Sequence, residues 1–194
     1  MSRAESGQLR IIAGSWRGRK LNFLEREGLR PTTDRVRETI FNWLQMDLPG
    51  SRCLDLFSGS GALGIEAASR GASKVVLVDN DRASVDMLNR NIDLFSAQQV
   101  AAVCDDVINF VQNCDFMFDV VFIDPPYKLN AIAQCCELLE SKQCLSDHAK
   151  IVIECDASND LSKDSNGLPD NWQCLKRKTA GQAGYHLFIR EPIF

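Results

Sequence analysis

Leu54-Asp55-Leu56-Phe57-Ser58-Gly59-Ser60-Gly61-Ala62-Leu63-Gly64 is an apolar run, a glycine-spaced turn and a helix-compatible segment in succession. Glycine lets the backbone turn tightly and approach a ligand closely, and a helix that begins after such a turn points its free amides at that ligand. The spacing predicts a strand, a nucleotide-cofactor loop and a helix. Taken alone, Gly59, Gly61 and Gly64 also satisfy the dinucleotide G-x-G-x-x-G pattern, with Asp79 near the distance of a ribose-binding acid. The glycines therefore leave a nicotinamide cofactor open.

Asp55 separates the two readings. A dinucleotide fold favours apolar residues at that strand end, close to the negative pyrophosphate. A carboxylate suits S-adenosylmethionine, whose ammonium and sulfonium it complements through charge-assisted hydrogen bonds and Coulomb attraction. Asp79, which ends Val75-Val76-Leu77-Val78, is placed to accept from both ribose hydroxyls. In Cys104-Asp105-Asp106, after the next apolar run, Asp106 is favoured over Asp105 as acceptor for the adenine amino group.

Working outward, short apolar runs at 53–57, 74–78, 100–103, 119–123 and 150–153 alternate with helical stretches at 62–69, 82–95, 107–113 and 129–140. This βαβ repetition predicts an α/β fold, a mainly parallel sheet with helices on both faces. A polar loop over 156–171 precedes a terminal strand pair at 172–178 and 185–189. Upstream, Thr33 or Asp34 can cap a helix carrying Val36, Ile40, Trp43 and Leu44, closed by Pro49-Gly50. Before it, 9–13 and 17–21 flank Gly14-Ser15-Trp16 and read as a hairpin displaying arginines and one tryptophan. Two units are expected: a basic hairpin extension over 1–30 and a catalytic domain over 31–194.

The net charge of −4 is unevenly spread. Residues 1–40 hold nine basic side chains (Arg3, Arg10, Arg17, Arg19, Lys20, Arg26, Arg30, Arg35, Arg37) against five acids (Glu5, Glu25, Glu27, Asp34, Glu38), a balance of +4 that leaves −8 elsewhere. A basic arm on an acidic body fits a phosphate-binding appendage, because phosphate attraction is screened within about 10 Å at ordinary salt; a solvated tail is the plainer alternative. With 194 residues, 45% of them hydrophobic, and no apolar run near the ~20 residues of a membrane span, a cytoplasmic protein is expected. The eight cysteines, scattered and without a C-x-x-C pair, read as reduced core thiols. His148 and His186 lie far from zinc-ligand spacing, so no metal is expected.

Asp124-Pro125-Pro126-Tyr127 follows the apolar run Val120-Val121-Phe122-Ile123, at the carboxyl edge of the predicted sheet. An aromatic amine is a poor nucleophile, its lone pair being delocalised into the ring. Two acceptors aimed at its N–H bonds favour a pyramidal nitrogen and align it with a methyl donor. Asp124 and the Pro125 carbonyl supply those acceptors, the prolines restrict the backbone, and Tyr127 stacks on the base. A base inside a helix is out of reach, so the target is flipped out or unpaired. A strand-ending turn is the bland alternative for the tetrapeptide.

The chain resembles bacterial methyltransferases of the RsmD type over nearly its whole length. The resemblance rests on residues 10–21 (RIIAGSWRGRKL), residues 29–42 (LRPTTDRVRETIFN), the cofactor loop through Glu66-Ala67, the D-P-P-Y element and Gly181-Gln182. It implies a Rossmann-like class I S-adenosylmethionine-dependent methyltransferase with a mainly parallel seven-stranded sheet and an antiparallel terminal strand. It further implies an enzyme acting on the exocyclic N2 of a guanine in 16S rRNA, within the small subunit or an assembly intermediate; separately, a monomer is expected. By the same resemblance, residues 30–37 lie beside cofactor and RNA. The expected cofactor residues are Asp55, Phe57, Gly59, Gly61, Asp79, Asp106 and Thr33; the expected RNA contacts are Arg10, Trp16, Arg17, Arg19, Lys20, Arg30 and Arg35. A DNA adenine-N6 methyltransferase, a non-catalytic RNA-binding assembly factor and a dehydrogenase are the rivals. The lack of a separate target-recognition domain weighs against the first, the joint presence of Asp55, Asp79 and Asp124 against the second, and Asp55 with the tetrapeptide against the third.

Overall fold

The structure, a computed structural model, describes residues 6–25, 32–126, 131–159, 161 and 167–192. Its centre is a seven-stranded sheet built from β3 (Arg52–Leu56), β4 (Lys74–Asp79), β5 (Val100–Cys104), β6 (Phe118–Ile123), β7 (Leu145–Asp156), β8 (Trp172–Ala180) and β9 (Ala183–Arg190). The spatial order is β5-β4-β3-β6-β7-β9-β8. The first five strands of that order pair in parallel, and β9 runs antiparallel to both β7 and β8. The terminal pair of the sequence reading is thus present, two residues longer at β8 than expected.

Successive strand residues point to opposite faces, and both faces here are covered. Cys53, Val75, Leu77, Val120, Phe122 and Val152 join one apolar core, while their neighbours Leu54, Leu56, Val76, Val78, Val121, Ile123, Ile151 and Ile153 join the other. This is why these strands read as unbroken apolar runs. The first core is closed by α1 (Asp34–Trp43), α2 (Ala62–Ser69) and α3 (Arg82–Phe95); the second by α4 (Val107–Gln112) and α5 (Ile132–Ser141). The bounds of α2 and α3 match the sequence reading. Helix α1 stops at Trp43 instead of running to Pro49, and the expected start of α5 at 129 lies outside the described residues. No helix among the described residues is long and apolar enough to cross a membrane.

The chain steps outward from β3 to β4 and β5, then returns to lay β6 on the other side of β3. This reversal opens a crevice at the carboxyl ends of β3, β4 and β6, where α/β sheets bind ligands.

The N-terminal hairpin is displaced from its expected position. Its strands are β1 (Ser6–Arg10) and β2 (Lys20–Leu24), paired from Ser6↔Leu24 to Arg10↔Lys20. Residues 12–19 form a loop because their amides have partners other than a facing strand. Ile12 and Ala13 donate to the Glu66 carboxylate (2.8 and 2.9 Å), and Ser15 donates to the Ser69 carbonyl (2.7 Å). Gly14, at φ 81°, sits so close to Ser69 that a Cβ would collide with its carbonyl.

The expectation of core thiols holds for Cys53, Cys135, Cys136, Cys144 and Cys155, which are buried; it fails for Cys104, which is exposed at the end of β5, and for the half-buried Cys114 and Cys174. All eight are free.

Candidate active site

The parallel registers align the acids. Asp55 lies opposite Leu77 and Phe122, and Leu56 opposite Ile123, so Asp124 emerges next to the turn after β3. Asp79 pairs with Cys104, which brings Asp105 and Asp106 to the same edge. Asp55, Asp79, Asp106 and Asp124 therefore line one edge of the sheet, each at the end of a different strand.

Asp55 is 2% exposed and accepts one backbone hydrogen bond, from Gly64 at the start of α2 (2.9 Å). Burial, outweighing that bond and reinforced by the Asp79 charge, pushes its carboxyl up to about 7. A buried carboxylate so poorly compensated is suited to a cation. Gly64 leaves room there: a Cβ would run into the end of the Leu77 side chain and lie 3.1 Å from Asp55 Oδ2. Asp79 is already held, its Oδ2 accepting from the Gly59 amide (2.7 Å) and its Oδ1 from Asp81 (2.8 Å). Each oxygen retains acceptor capacity for a diol.

The turn between them carries positive φ at Phe57 (64°), Gly59 (49°) and Gly61 (75°). Phe57 has a Cβ, so its left-handed backbone is strained, a feature that concentrates at ligand sites. The donor set fits a cationic nucleoside cofactor: a buried acid for the cation, a braced acid for the diol, and a tight turn between them.

Asp106 N-caps α4, its Oδ1 accepting from Ile108 and Asn109 (2.9 and 3.2 Å), while Asp105 holds the Asn109 side chain (2.8 and 3.0 Å). Thr33 is the exposed N-cap residue of α1 and makes no side-chain cap bond. Pro125 is buried directly after Asp124. Tyr127 and Arg30 lie outside the described residues.

Burial, then the Glu154 and Asp55 charges, hold the Asp124 carboxyl well above the usual carboxylate range. Glu154 follows Ile151-Val152-Ile153 as Asp124 follows Val121-Phe122-Ile123. The sequence pattern predicts that strand only to 153 and does not single out Glu154, although the same signal, an acid closing an apolar run, marks both.

The candidate RNA residues are not all brought to this edge. Helices α2 and α3 start at the site and run away from it, and the 12–19 loop packs at their far ends. Trp16 stacks on Phe95 (centroids 5.3 Å, 22°), and Arg19 lies over the same ring (4.4 Å) while donating to the Leu94 carbonyl (2.7 Å). The 14 residues of α3 span about 21 Å at 1.5 Å each, which sets the scale between arm tip and crevice. Arg10, Arg17 and Lys20 are exposed on the hairpin and its loop. Arg35 is exposed on the first turn of α1.

A second element missed in the sequence fastens this arm. Glu66 and Arg37 are each 0% exposed. Besides Ile12 and Ala13, Glu66 meets Arg70 Nε (2.8 Å) and Arg37 Nη1 (3.6 Å), and Arg37 Nη2 donates to the Arg10 carbonyl (2.8 Å) and Asp34 (2.7 Å). No local pattern signals it, because the partners are up to 54 residues apart.

The sheet order, the strained turn after β3 and the acids at the strand ends define a Rossmann-like class I methyltransferase. The family model described as Conserved hypothetical protein 95 matches residues 9–189. Ribosomal RNA small subunit methyltransferase D of Escherichia coli K12 is 42% identical over 96% of this chain and 92% of its own length; the Haemophilus influenzae protein of that name is 42% identical over 94% of each. The solved structure of yhhF from Escherichia coli, 41% identical, covers 96% of this chain and 100% of that one, with a TM-score of 0.85. SMU.776, solved with SAH, shares the fold (TM-score 0.71) at 18% identity, covering 97% of this chain and 57% of its own. The chain belongs to the Conserved hypothetical protein 95 family, the RsmD-type methyltransferases.

Proposed function

We propose that this methyltransferase acts on the exocyclic N2 amine of a guanine in small-subunit rRNA, with S-adenosylmethionine as methyl donor. The observation that carries the reading is Asp124 at the end of β6, one strand away from the buried Asp55. It couples a cation-seeking pocket to an acceptor suited to an amine.

S-adenosylmethionine supplies an electrophilic methyl group and departs as a neutral thioether. Asp55 takes the ammonium end of the cofactor and Asp79 the ribose diol; Phe57, Gly59 and Gly61 shape the turn against it, and Asp106 and Thr33 flank it. Asp124 and the Pro125 carbonyl accept from the two N–H bonds of the amine, which frees the nitrogen lone pair and points it at the methyl group. Tyr127 stacks on the flipped base. The N–H proton released after transfer passes to Asp124.

The basic hairpin extension, residues 1–30, holds the RNA through phosphate contacts, and residues 31–194 carry the chemistry. Arg10, Arg17, Arg19 and Lys20 grip the backbone about one helix length from the reacting base, with Trp16 seating the loop, while Arg35 serves the near side and Arg30 adds a further RNA contact. A monomer suffices, since every assigned group comes from one chain.

The test is transfer of labelled methyl from S-adenosylmethionine to small subunits, assembly intermediates and naked 16S rRNA lacking the modification, followed by nucleoside analysis. Label in N2-methylguanine is expected. Label in N6-methyladenine would overturn the guanine assignment, and no transfer to any of the three would favour an assembly factor.

A further inference from the structure

The row of side chains that begins at Asp124 continues across the sheet. Ile123 pairs with Ile153, Glu154 with Tyr185, and Tyr185 with Lys178. Val120 and Phe122 of β6, Val152 of β7 and Tyr185 and Leu187 of β9 all join the core beneath α1, so by strand alternation Asp124, Glu154, Tyr185 and Lys178 face that side together. Asp124 and Glu154, each one residue past the Ile123–Ile153 pair, stand side by side on adjacent strands, and the Glu154 charge helps to raise the Asp124 carboxyl. Two carboxyl groups so placed can hydrogen-bond to each other only if one holds a proton. Tyr185, 5% exposed, donates from its hydroxyl to Glu154 Oε1 (3.3 Å), and Lys178 Nζ donates to Thr39 Oγ1 on α1 (3.1 Å).

We propose that Glu154 is a positioning residue that shares one proton with Asp124, orienting the Asp124 carboxylate toward the substrate amine and keeping the pair a single negative charge. This rests on the amine-methylation reading of the site. A lone Asp124, half-buried beside the Asp55 charge, would either ionise at a cost or turn its own proton toward the substrate, losing the acceptor the amine needs. With Glu154 supplying the shared proton and Tyr185 donating to Glu154 Oε1, the second oxygen of Asp124 remains an acceptor.

The step balances. The amine lone pair forms the N–C bond, the sulfur keeps the pair of the broken C–S bond, and the N–H proton goes to Asp124. The pair passes from one proton and one negative charge to two protons and none, then loses a proton to water as product leaves. The groups facing it are Asp55 from β3, which opposes a second charge; Tyr185 from β9; Lys178 from β8; and Val36, Thr39 and Ile40 from α1, which line a small cavity with Tyr185 and Lys178. Burial and the Glu154 and Asp55 charges hold Asp124 in the direction that sharing requires.

The experiment is carboxyl carbon-13 NMR of the full chain, labelled at Asp and Glu side chains, titrated without substrate and followed by the pH dependence of single-turnover transfer. The wild type is expected to show two coupled steps, each moving the Asp124 and Glu154 signals together. Glu154→Gln collapses them to one step lying between the two, and Tyr185→Phe raises the upper step. In transfer, Glu154→Ala lowers kcat about 100-fold, the scale for losing a proton-handling group, with KM for S-adenosylmethionine within about twofold. Glu154→Gln, which retains a donor to Asp124, restores part of kcat and removes the alkaline limb of the profile.

Independent single ionisations of Asp124 and Glu154 in the wild type would overturn the proposal, as would a Glu154→Ala pH profile matching the wild type. The NMR titration needs neither RNA nor turnover. Coupled steps without guanine methylation would sink the functional reading and leave the pair standing; guanine methylation with uncoupled steps would do the reverse.

Discussion

Glu66→Ala tests how the basic arm is fastened to the catalytic body. The carboxylate is fully buried and receives the Ile12 and Ala13 amides, the Arg70 guanidinium and, at 3.6 Å, the buried Arg37. Removing one partner of a buried ion pair costs about 3–5 kcal/mol, because the other charge is left desolvated. The two orphaned amides would each add about 1 kcal/mol, offset where water enters the space. The expected loss is about 4 kcal/mol, a large share of the ~5–15 kcal/mol that holds a domain together. Glu66→Gln keeps an acceptor and the shape while losing the charge, and should lose about half as much. Urea unfolding reports the total. Limited proteolysis under native conditions reports the arm, whose 12–19 loop should become cleavable in Glu66→Ala first. A loss below about 1 kcal/mol, with the loop still protected, would refute the anchoring role of Glu66.

Asp55 should make stability and cofactor binding respond to pH in opposite senses. Its carboxyl is raised to about 7 by burial, so its stabilising contribution is complete below its unfolded value and disappears as pH rises through 7. The stability of the wild type relative to Asp55→Asn should therefore fall between pH 4 and 8, by at most about 4 kcal/mol, and a flat difference would contradict the burial argument. Affinity for the cationic cofactor should rise up to about tenfold per pH unit below 7 by calorimetry, and a pH-independent affinity would remove Asp55 from cation binding. Replacing Arg10, Arg17 and Lys20 by Gln should flatten the salt dependence of RNA binding by roughly 0.7–0.9 per lost phosphate contact; an unchanged slope would return the arm to the status of a solvated tail. Gly64→Ala should lose about 1–3 kcal/mol through overpacking against Leu77 and weaken cofactor binding by crowding Asp55, and wild-type stability and affinity would show that the helix start relaxes freely.

Much of the fold was legible because its signals are local. The apolar runs of β3, β4 and β6 are buried on both faces, and helix periodicity set α2 and α3 to the residue. The hairpin register was misread because the amides of Ile12, Ala13 and Ser15 are satisfied by Glu66 and Ser69, more than fifty residues away, and alternation cannot register such partners. Asp55 and Asp124 stand out in the sequence because each lies next to an apolar run with glycines or prolines just after it, and Asp79 because it ends such a run at ribose-acid distance from the glycines. Glu154 closes a similar run with neither that punctuation nor a set distance from the glycines, and its meaning emerges only when β7 is laid beside β6. The sequence also made the basic residues 10–20 one patch; the direction of α2 and α3 sets its tip at the opposite end of the helices from Asp124.

The most direct test is Asp124→Ala, measured two ways on the same preparation: calorimetric affinity for S-adenosylmethionine, and the single-turnover rate of methyl transfer to small subunits lacking the modification. Cofactor affinity within a few-fold of wild type is expected, together with a transfer rate lower by about two orders of magnitude or more, the scale for a contact made in the transition state. Transfer near the wild-type rate would contradict the role given to Asp124, and with it the chemistry assigned to the edge of the sheet.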